Sequence, residues 1–222
     1  MAMPSPMDLA MAYIRNRQGG GQYLGGSTGA RLHETPQGRF VAKRGNSAGH
    51  LLNEFDINQY LNALGVGVPQ ASLHREGGRP TMLTQFEEGA TRYQPERDRA
   101  QVTQDFVPHA LVANWDMLGM ENDNALRRPD GSLSYVDVGG AGAYRAQGAP
   151  KGQAFGRTVG ELDTLRDKNP YELGHITEQD IGQSYDTYGG ETAMNDALRH
   201  IQDSQSRDIL QQRIQDVARR VA

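Results

Sequence analysis

Apolar positions in the first ninety residues switch between helical and strand spacing, and glycine or proline separates the segments. Met7, Met11 and Ile14 recur at helical spacing after Ser5-Pro6, a typical helix start. Leu51, and later apolar residues of the same segment, form a longer helical stripe. The pattern predicts helix, three strands, helix and two strands, at about 5–17, 23–24, 30–33, 39–43, 47–64, 70–74 and 80–86.

Beyond a polar connector, the apolar spacing is mostly helical. It predicts a long helix at about 98–118, which Pro108 should bend or interrupt. A hairpin follows, with "NALRR" and "LSYVDV" joined by the turn "PDGS". Four helices complete the chain, at about 158–167, 178–188, 191–202 and 204–221. We therefore expect an α+β protein with two lobes: an N-terminal antiparallel sheet with one helix, about 1–90, and a mostly helical C-terminal lobe, about 91–222.

Composition narrows the function classes. The 222 residues carry a net charge of -4 with a pI near 5.9, which argues against binding to nucleic acid. The absence of cysteine excludes disulfides and cysteine-based zinc sites. No apolar run is long enough to span a membrane, and the N-terminus lacks the charged start of a signal peptide. We expect a cytoplasmic protein, or one secreted into a host cell without a classical signal peptide.

The loop "GGSTG" joins the first two strands. Small residues allow backbone N–H groups to point at phosphate oxygens without obstruction by side chains. Such a turn is a weak signal by itself, because a glycine-rich sheet edge looks the same. Its five members are candidate nucleotide-binding residues: Gly25, Gly26, Ser27, Thr28 and Gly29.

A lysine and a glutamate follow this loop, 11 residues apart along the chain. Strand alternation places Val41 and Lys43 on one face, so Lys43 either snorkels to solvent or lies in a cleft. Glu54 follows on the next predicted helix, where it shares a face with Leu61 and borders the buried side. Glu54 can therefore reach Lys43, as in the lysine–glutamate pair of kinase folds.

Acidic and amide side chains are concentrated in "NWDMLGMENDNALRRPDGSLSYVDVGG". Phosphoryl transfer needs a group that orients the attacking hydroxyl, and oxygen ligands for Mg²⁺. Asp116 is the candidate base, with Asp123 as its rival. Asn124 and Asp137 are the candidate metal ligands, since the predicted hairpin brings them together. Each feature is ambiguous alone, but their order along the chain is rarely produced by chance.

That order resembles the protein kinase superfamily, and its details resemble the atypical branch of phosphatidylinositol 3/4-kinase-like, actin-fragmin-kinase-like and HipA-like proteins. "NWD…NDNAL" resembles the "N-T-D…N-D-N-W-L" loop of type II phosphatidylinositol 4-kinases, and "YVDVGGA" resembles their "I-D-N-G" motif. "GGSTGARL" and "VPQASLH" are similar to small kinase-like domains of bacterial effectors and phage-encoded polyvalent proteins. The resemblance covers about residues 20–145.

Three departures from the kinase pattern stand out. Kinases follow H-R-D-x-x-x-x-N, whereas seven residues separate Asp116 from Asn124 and no His-Arg-Asp is present. Val138 precedes Gly139 where a phenylalanine is usual. The loop after Asp116 must therefore fold back if Asn124 is to reach the same metal as Asp137.

The resemblance implies a single minimal kinase-like domain that uses ATP and Mg²⁺ to phosphorylate a protein Ser/Thr hydroxyl. It adds Gln85 and Glu87 to the nucleotide-binding candidates. An effector or toxin kinase is one context, with a host protein as a candidate partner, and Ser27 or Thr28 is a candidate autophosphorylation site. The alternatives are a catalytically dead kinase-like binding module and a small-molecule or lipid phosphotransferase.

Overall fold

The computed structural model describes residues 3–17, 20–25, 29–76 and 78–222. The strands are β1 (Gln22–Gly25), β2 (Ala30–Thr35), β3 (Gly38–Lys43), β4 (Ala71–Glu76), β5 (Arg79–Gln85), β6 (Thr91–Arg92), β7 (Ala125–Arg127) and β8 (Leu133–Tyr135). The helices are α1 (Pro6–Asn16), α2 (Ala48–Leu64), α3 (Pro95–Leu111), α4 (Glu161–Lys168), α5 (Glu178–Thr187), α6 (Gly190–Ala197) and α7 (Ser204–Val221). Short 3-10 turns lie at Gly152–Ala154 and Leu198–His200.

The N-terminal half is built on an antiparallel sheet with strand order β1-β2-β3-β5-β4. Helix α1 begins after Ser5, which forms a capping box with Asp8, and packs Met11 against Phe40 and Leu83. Because strand side chains alternate, Lys43 does not share the face that Phe40 presents to α1. The sheet therefore presents Lys43 on the face away from α1.

Helix α2 confirms the prediction for 47–64. Ser47 caps its first turn by accepting a hydrogen bond from His50 N at 3.1 Å. Gly65 ends the helix with a φ of 88°, a conformation that glycine adopts at little cost. Leu51 and Leu61 are fully buried, so the predicted apolar stripe does face the core.

Helix α3 ends at Leu111, and the prediction that it continues to Leu118 is wrong. The chain turns because Ala113 takes a φ of 52°, in the left-handed region that a helix cannot use. The helix does not stop at Pro108. Proline has no N–H, so Gln104 O loses the hydrogen bond that it would otherwise accept within the helix. Ser184 Oγ replaces it at 2.6 Å, so the buried carbonyl keeps a partner.

The C-terminal half joins a second antiparallel sheet, of order β6-β7-β8, to α3 and the four later helices. Its apolar core is continuous with the buried face of α2. Strand β6 was not predicted, whereas the hairpin and the four helices were, with ends that differ by a few residues. The α+β architecture is thus confirmed. Within the described part of the chain, no helix is both long enough and apolar enough to cross a membrane.

The end of α3 is held by a buried arginine. Arg213 of α7 donates to Leu111 O at 2.7 Å and to Ala110 O at 3.0 Å, in the last turn, where helical carbonyls need partners from outside the helix. The same guanidinium forms an ion pair with Glu161 at 2.7 Å. These bonds fix the point from which the loop carrying Asp116 departs.

A buried carboxylate in α3 should make stability depend on pH. Asp105 accepts hydrogen bonds from Tyr135 at 2.8 Å and from Tyr188. Burial nevertheless raises its pKa from 3.8 to about 6. Between these values the folded state binds the extra proton, so stability falls as pH rises from about 4 to about 6 and then levels off. At about 1.4 kcal/mol per pH unit, the change is about 3 kcal/mol.

Urea unfolding at pH 4, 5, 6 and 7 would test this prediction. The free energy of unfolding of Asp105→Asn should rise relative to wild type across this range, because asparagine does not titrate. The exposed Asp186 of α5 provides the matched variant, Asp186→Asn, for which no such rise is expected. A constant difference between Asp105→Asn and wild type would contradict the assignment.

Candidate active site

Lys43 lies at the centre of the candidate site. Its Nζ is 2.7 Å from Glu54 Oε1 and 3.5 Å from Asp137 Oδ1, and the side chain is 6% exposed. Burial acts to lower the pKa of Lys43, but the charges of Glu54 and Asp137 outweigh it and raise the pKa above its usual value. The structure thus brings together three predicted site residues around one permanent positive charge.

His50 and Asn53 of α2, which sequence analysis did not single out, form a clamp on the loop after Asp137. His50 Nε2 lies 2.8 Å from Gly139 O. Asn53 donates to Ala141 O at 2.9 Å and accepts from Ala143 N at 3.0 Å. A signal was available, since His50, Asn53 and Glu54 have the spacing of one helix face. The clamp fixes Glu54 relative to Asp137.

Asp137 lies just after β8 and is partly exposed. Its side chain is 45% exposed, and Gly139 N donates to Oδ1 at 3.2 Å. Burial acts to raise its pKa, but Lys43 and the Gly139 N–H dominate and lower the pKa of Asp137. A Cβ at Gly139 would lie only 3.1 Å from Glu54 Oε2, so a side chain here would press on Glu54, and glycine lets the loop approach α2 closely.

The loop between α3 and β7 folds back, as the sequence requires. Asn124 Nδ2 donates to Asp116 O at 2.8 Å, and Asn124 N donates to Leu118 O at 3.0 Å. Gly119 makes the reversal with a φ of 78°, and any side chain there would collide with Asp123. The extra residues therefore form a compact turn that keeps Asn124 beside Asp116.

Burial and neighbouring groups change the pKa of Asp116. Burial is the main cause that raises its pKa, and the negative charges of Asp137 and Asp123 add to it. A hydrogen bond with Asn124 opposes the shift. Asp116 is half-buried, whereas Asp123 is exposed. Asp116 therefore lies in an environment that raises its proton affinity.

The donor set fits a magnesium ion that is also bound by phosphate. Val136 N donates to Asn124 O at 2.9 Å, so the hairpin brings Asn124 near Asp137. Both residues offer oxygen atoms, which Mg²⁺ prefers. Glu54 Oε2 is buried without a hydrogen-bond partner close to this position. No group of three or more metal-binding His, Asp or Glu side chains occurs in the described ranges, so water and phosphates would supply the other ligands.

The glycine-rich loop leaves the sheet at the same end as Lys43. Gly25 pairs with Ala30, and Arg31 pairs with Ala42, so both ends of the loop lie at the Lys43 end of the sheet. Gly25 and Gly29 have φ values of 88° and 67°. The three predicted nucleotide-binding residues between them fall outside the described residues: Gly26, Ser27 and Thr28.

Gln85 and Glu87 lie where β5 leaves the sheet. Gln85 is exposed at the strand end, and its N–H donates to Gln70 O at 2.9 Å. Both carboxylate oxygens of Glu87 are engaged, at 2.8 and 2.7 Å from Arg128 and 2.6 Å from Ser134. Burial acts to raise the pKa of Glu87, but these bonds lower it. The Glu87 side chain thus ties the two halves together, and its backbone carbonyl accepts from Ala90 N at 3.4 Å.

Solved kinase structures are similar to this chain. The chain matches a crystal structure of the proinflammatory kinase CtkA of Helicobacter pylori with a TM-score of 0.58 and 10% identity, over 90% of this chain and 93% of that one. It matches LicA in complex with AMP and the choline kinase LicA from Streptococcus pneumoniae, each with a TM-score of 0.42 and 12% identity. The LicA matches span 98% of this chain and 100% and 91% of theirs. Neither a protein-family model nor a curated protein matches.

This is a kinase-like fold. The two-lobed architecture expected from the sequence is confirmed by the likeness to CtkA, while the particular atypical subfamily is not.

Proposed function

We propose that the protein is an ATP- and Mg²⁺-dependent phosphotransferase that acts on a protein Ser/Thr hydroxyl. The observation that carries the proposal is the contact of Lys43 with both Glu54 and Asp137 across three separate elements. A buried charge that specific partners perturb, beside a partly exposed carboxylate, marks a candidate functional site. The kinase-like fold supports the same interpretation.

Each residue has a role in this proposal. Lys43, steadied by Glu54, binds the nucleotide phosphates, and Asn124 and Asp137 hold Mg²⁺, which neutralises phosphate charge when bound. Asp116 orients the acceptor hydroxyl and accepts its proton as the phosphorus–oxygen bond to that hydroxyl forms. In the same transfer, the bond between that phosphorus and the oxygen of the leaving ADP breaks.

The surface beside Asp116 favours a protein acceptor over a small molecule. Trp115 is 42% exposed and Met120 is fully exposed, and both lie in the loop that holds Asp116. Exposed apolar side chains around a polar site are typical of surfaces that contact proteins. A small-molecule acceptor would instead need an enclosed pocket.

Transfer of labelled phosphate tests the function directly. The protein is incubated with Mg²⁺, γ-labelled ATP and cell lysate, and labelled products are identified by mass spectrometry. Protein labelling, including any at Ser27 or Thr28, is expected. Labelling of metabolites alone would favour the small-molecule alternative. ATP binding without transfer to either class would favour the binding module.

Asp137→Asn should remove the dependence of ATP affinity on Mg²⁺. The variant loses the charge that a metal requires, while the amide keeps the size of the side chain. Calorimetric titration with ATP, with and without Mg²⁺, should show stronger binding with metal only in the wild type. Asp130→Asn, at the exposed turn of the same hairpin, is the matched control and should keep the metal effect. A metal effect that persists in Asp137→Asn would remove Asp137 from the site.

A further inference from the structure

A lysine that the proposed mechanism does not use lies behind the candidate active site. The side chain of Lys151 is almost fully buried, and its Nζ donates to Ala113 O and Gly140 O, each at 2.8 Å. Its backbone is fixed as well, because Lys151 N donates to Ala143 O at 2.8 Å. The two carbonyls that the amine joins belong to different loops.

Each of these loops carries a proposed catalytic or metal-binding group. Ala113 begins the loop of Asp116, and Gly140 lies in the loop that follows Asp137. Ala113 has a φ of 52°, which is costly for a residue with a side chain, so this turn persists only where its surroundings hold it. A hydrogen bond to its carbonyl from Lys151 is one such restraint.

We propose that Lys151 is a positioning residue that holds the Asp116 loop at a fixed place relative to the Asp137 loop. The role rests on the proposed phosphotransferase function, because it sets the distance between the acceptor site and the phosphate site. Errors of about 1 Å in such a distance lower rates about a hundredfold. Lys151 contacts neither Asp116 nor Asp137 in the hydrogen bonds described, so it acts only through the backbone.

The protonation state of Lys151 should control the strength of this restraint. Burial lowers its pKa to about 7, with Glu161 of α4 opposing the shift and Arg213 of α7 and Arg145 of the adjoining loop adding to it. An ammonium makes charge-assisted hydrogen bonds to carbonyls, which are stronger than those of a neutral amine. The restraint should therefore weaken as pH rises through about 7.

The only tryptophan of the chain, Trp115, reports on this loop without any assay of activity. Wild-type tryptophan emission should show a step centred near pH 7, and Lys151→Met should lack it. His109 beneath the loop does not interfere, because burial lowers its pKa to about 3. Lys168→Met, at an exposed lysine of α4, should keep the step. A flat wild-type titration, or a step that survives in Lys151→Met, would overturn the proposal.

Kinetics provide the second measurement. In Lys151→Met, kcat for transfer should fall about a hundredfold while ATP affinity is unchanged, since the phosphate-binding residues stay in place. Lys151→Arg, which keeps its charge, should lack the step near pH 7 and recover part of the rate. If Lys151→Met does not fold, the wild-type and Lys151→Arg titrations decide. If the wild type transfers no phosphate, the fluorescence result still tests the restraint, so the two proposals fail separately.

Discussion

Lys43→Met is expected to lower phosphoryl transfer by about a hundredfold to a thousandfold, the range for removal of one preorganised donor to a transition state. Lys43 is buried, and Glu54 holds its Nζ at 2.7 Å, so the charge is already oriented before a nucleotide arrives. Methionine fills similar space but cannot donate to a phosphate. Steady-state assays with saturating ATP should therefore show the loss mainly in kcat.

The single variant has a side effect that must be separated from catalysis. Removing Lys43 leaves Glu54 buried without its partner, which costs about 3–5 kcal/mol for a buried pair. The double variant Lys43→Met/Glu54→Gln removes both charges and should regain most of the stability while remaining inactive. Thermal unfolding and transfer assays on both variants distinguish the effects. Wild-type transfer by the double variant would show that Lys43 does not bind the phosphates.

The sequence pattern predicted much of the fold because many helices and strands are determined by interactions between residues close together in the sequence. Ser5 and Pro6 start α1, and Gly65 ends α2, as caps do in isolated helices. Strand alternation also predicted which face of β3 presents Lys43, and helix periodicity placed Glu54 towards it. The contact between Lys43 and Glu54 could be anticipated because each residue's direction follows from its own element.

The end of α3 could not be predicted in this way. Alanine is the best helix former, yet Ala113 leaves the helix with a positive φ. The reason is tertiary: Gly142 N donates to Val112 O at 2.6 Å, and Arg213 holds the last carbonyls of the helix. These partners lie far away along the chain, and helical or strand periodicity does not reveal them. Lys151 is hidden from sequence reasoning for the same reason, because it lies in an irregular segment and its amine donates to carbonyls of two other loops.

Asp116→Asn is expected to lower phosphoryl transfer by about a hundredfold to ten-thousandfold while leaving ATP binding intact. Asparagine fits the same space and can donate a hydrogen bond, but it cannot accept the hydroxyl proton. Asn124 is bonded to the backbone oxygen of Asp116, so the substitution leaves the loop in place. The defect should therefore appear in single-turnover transfer, and titration with ATP and Mg²⁺ should match the wild type.

The matched variant Asp123→Asn distinguishes the two candidate bases. Asp123 is exposed, whereas the pKa of Asp116 is raised by burial and by its acidic neighbours. A raised pKa has a definite consequence: as pH falls, wild-type transfer should decline at a pH above 3.8, where an ordinary aspartate is half-protonated. Asp123→Asn should keep near wild-type rates, with this decline shifted to lower pH because one negative neighbour is removed. If Asp123→Asn is instead the inactive variant and Asp116→Asn transfers normally, Asp123 is the base.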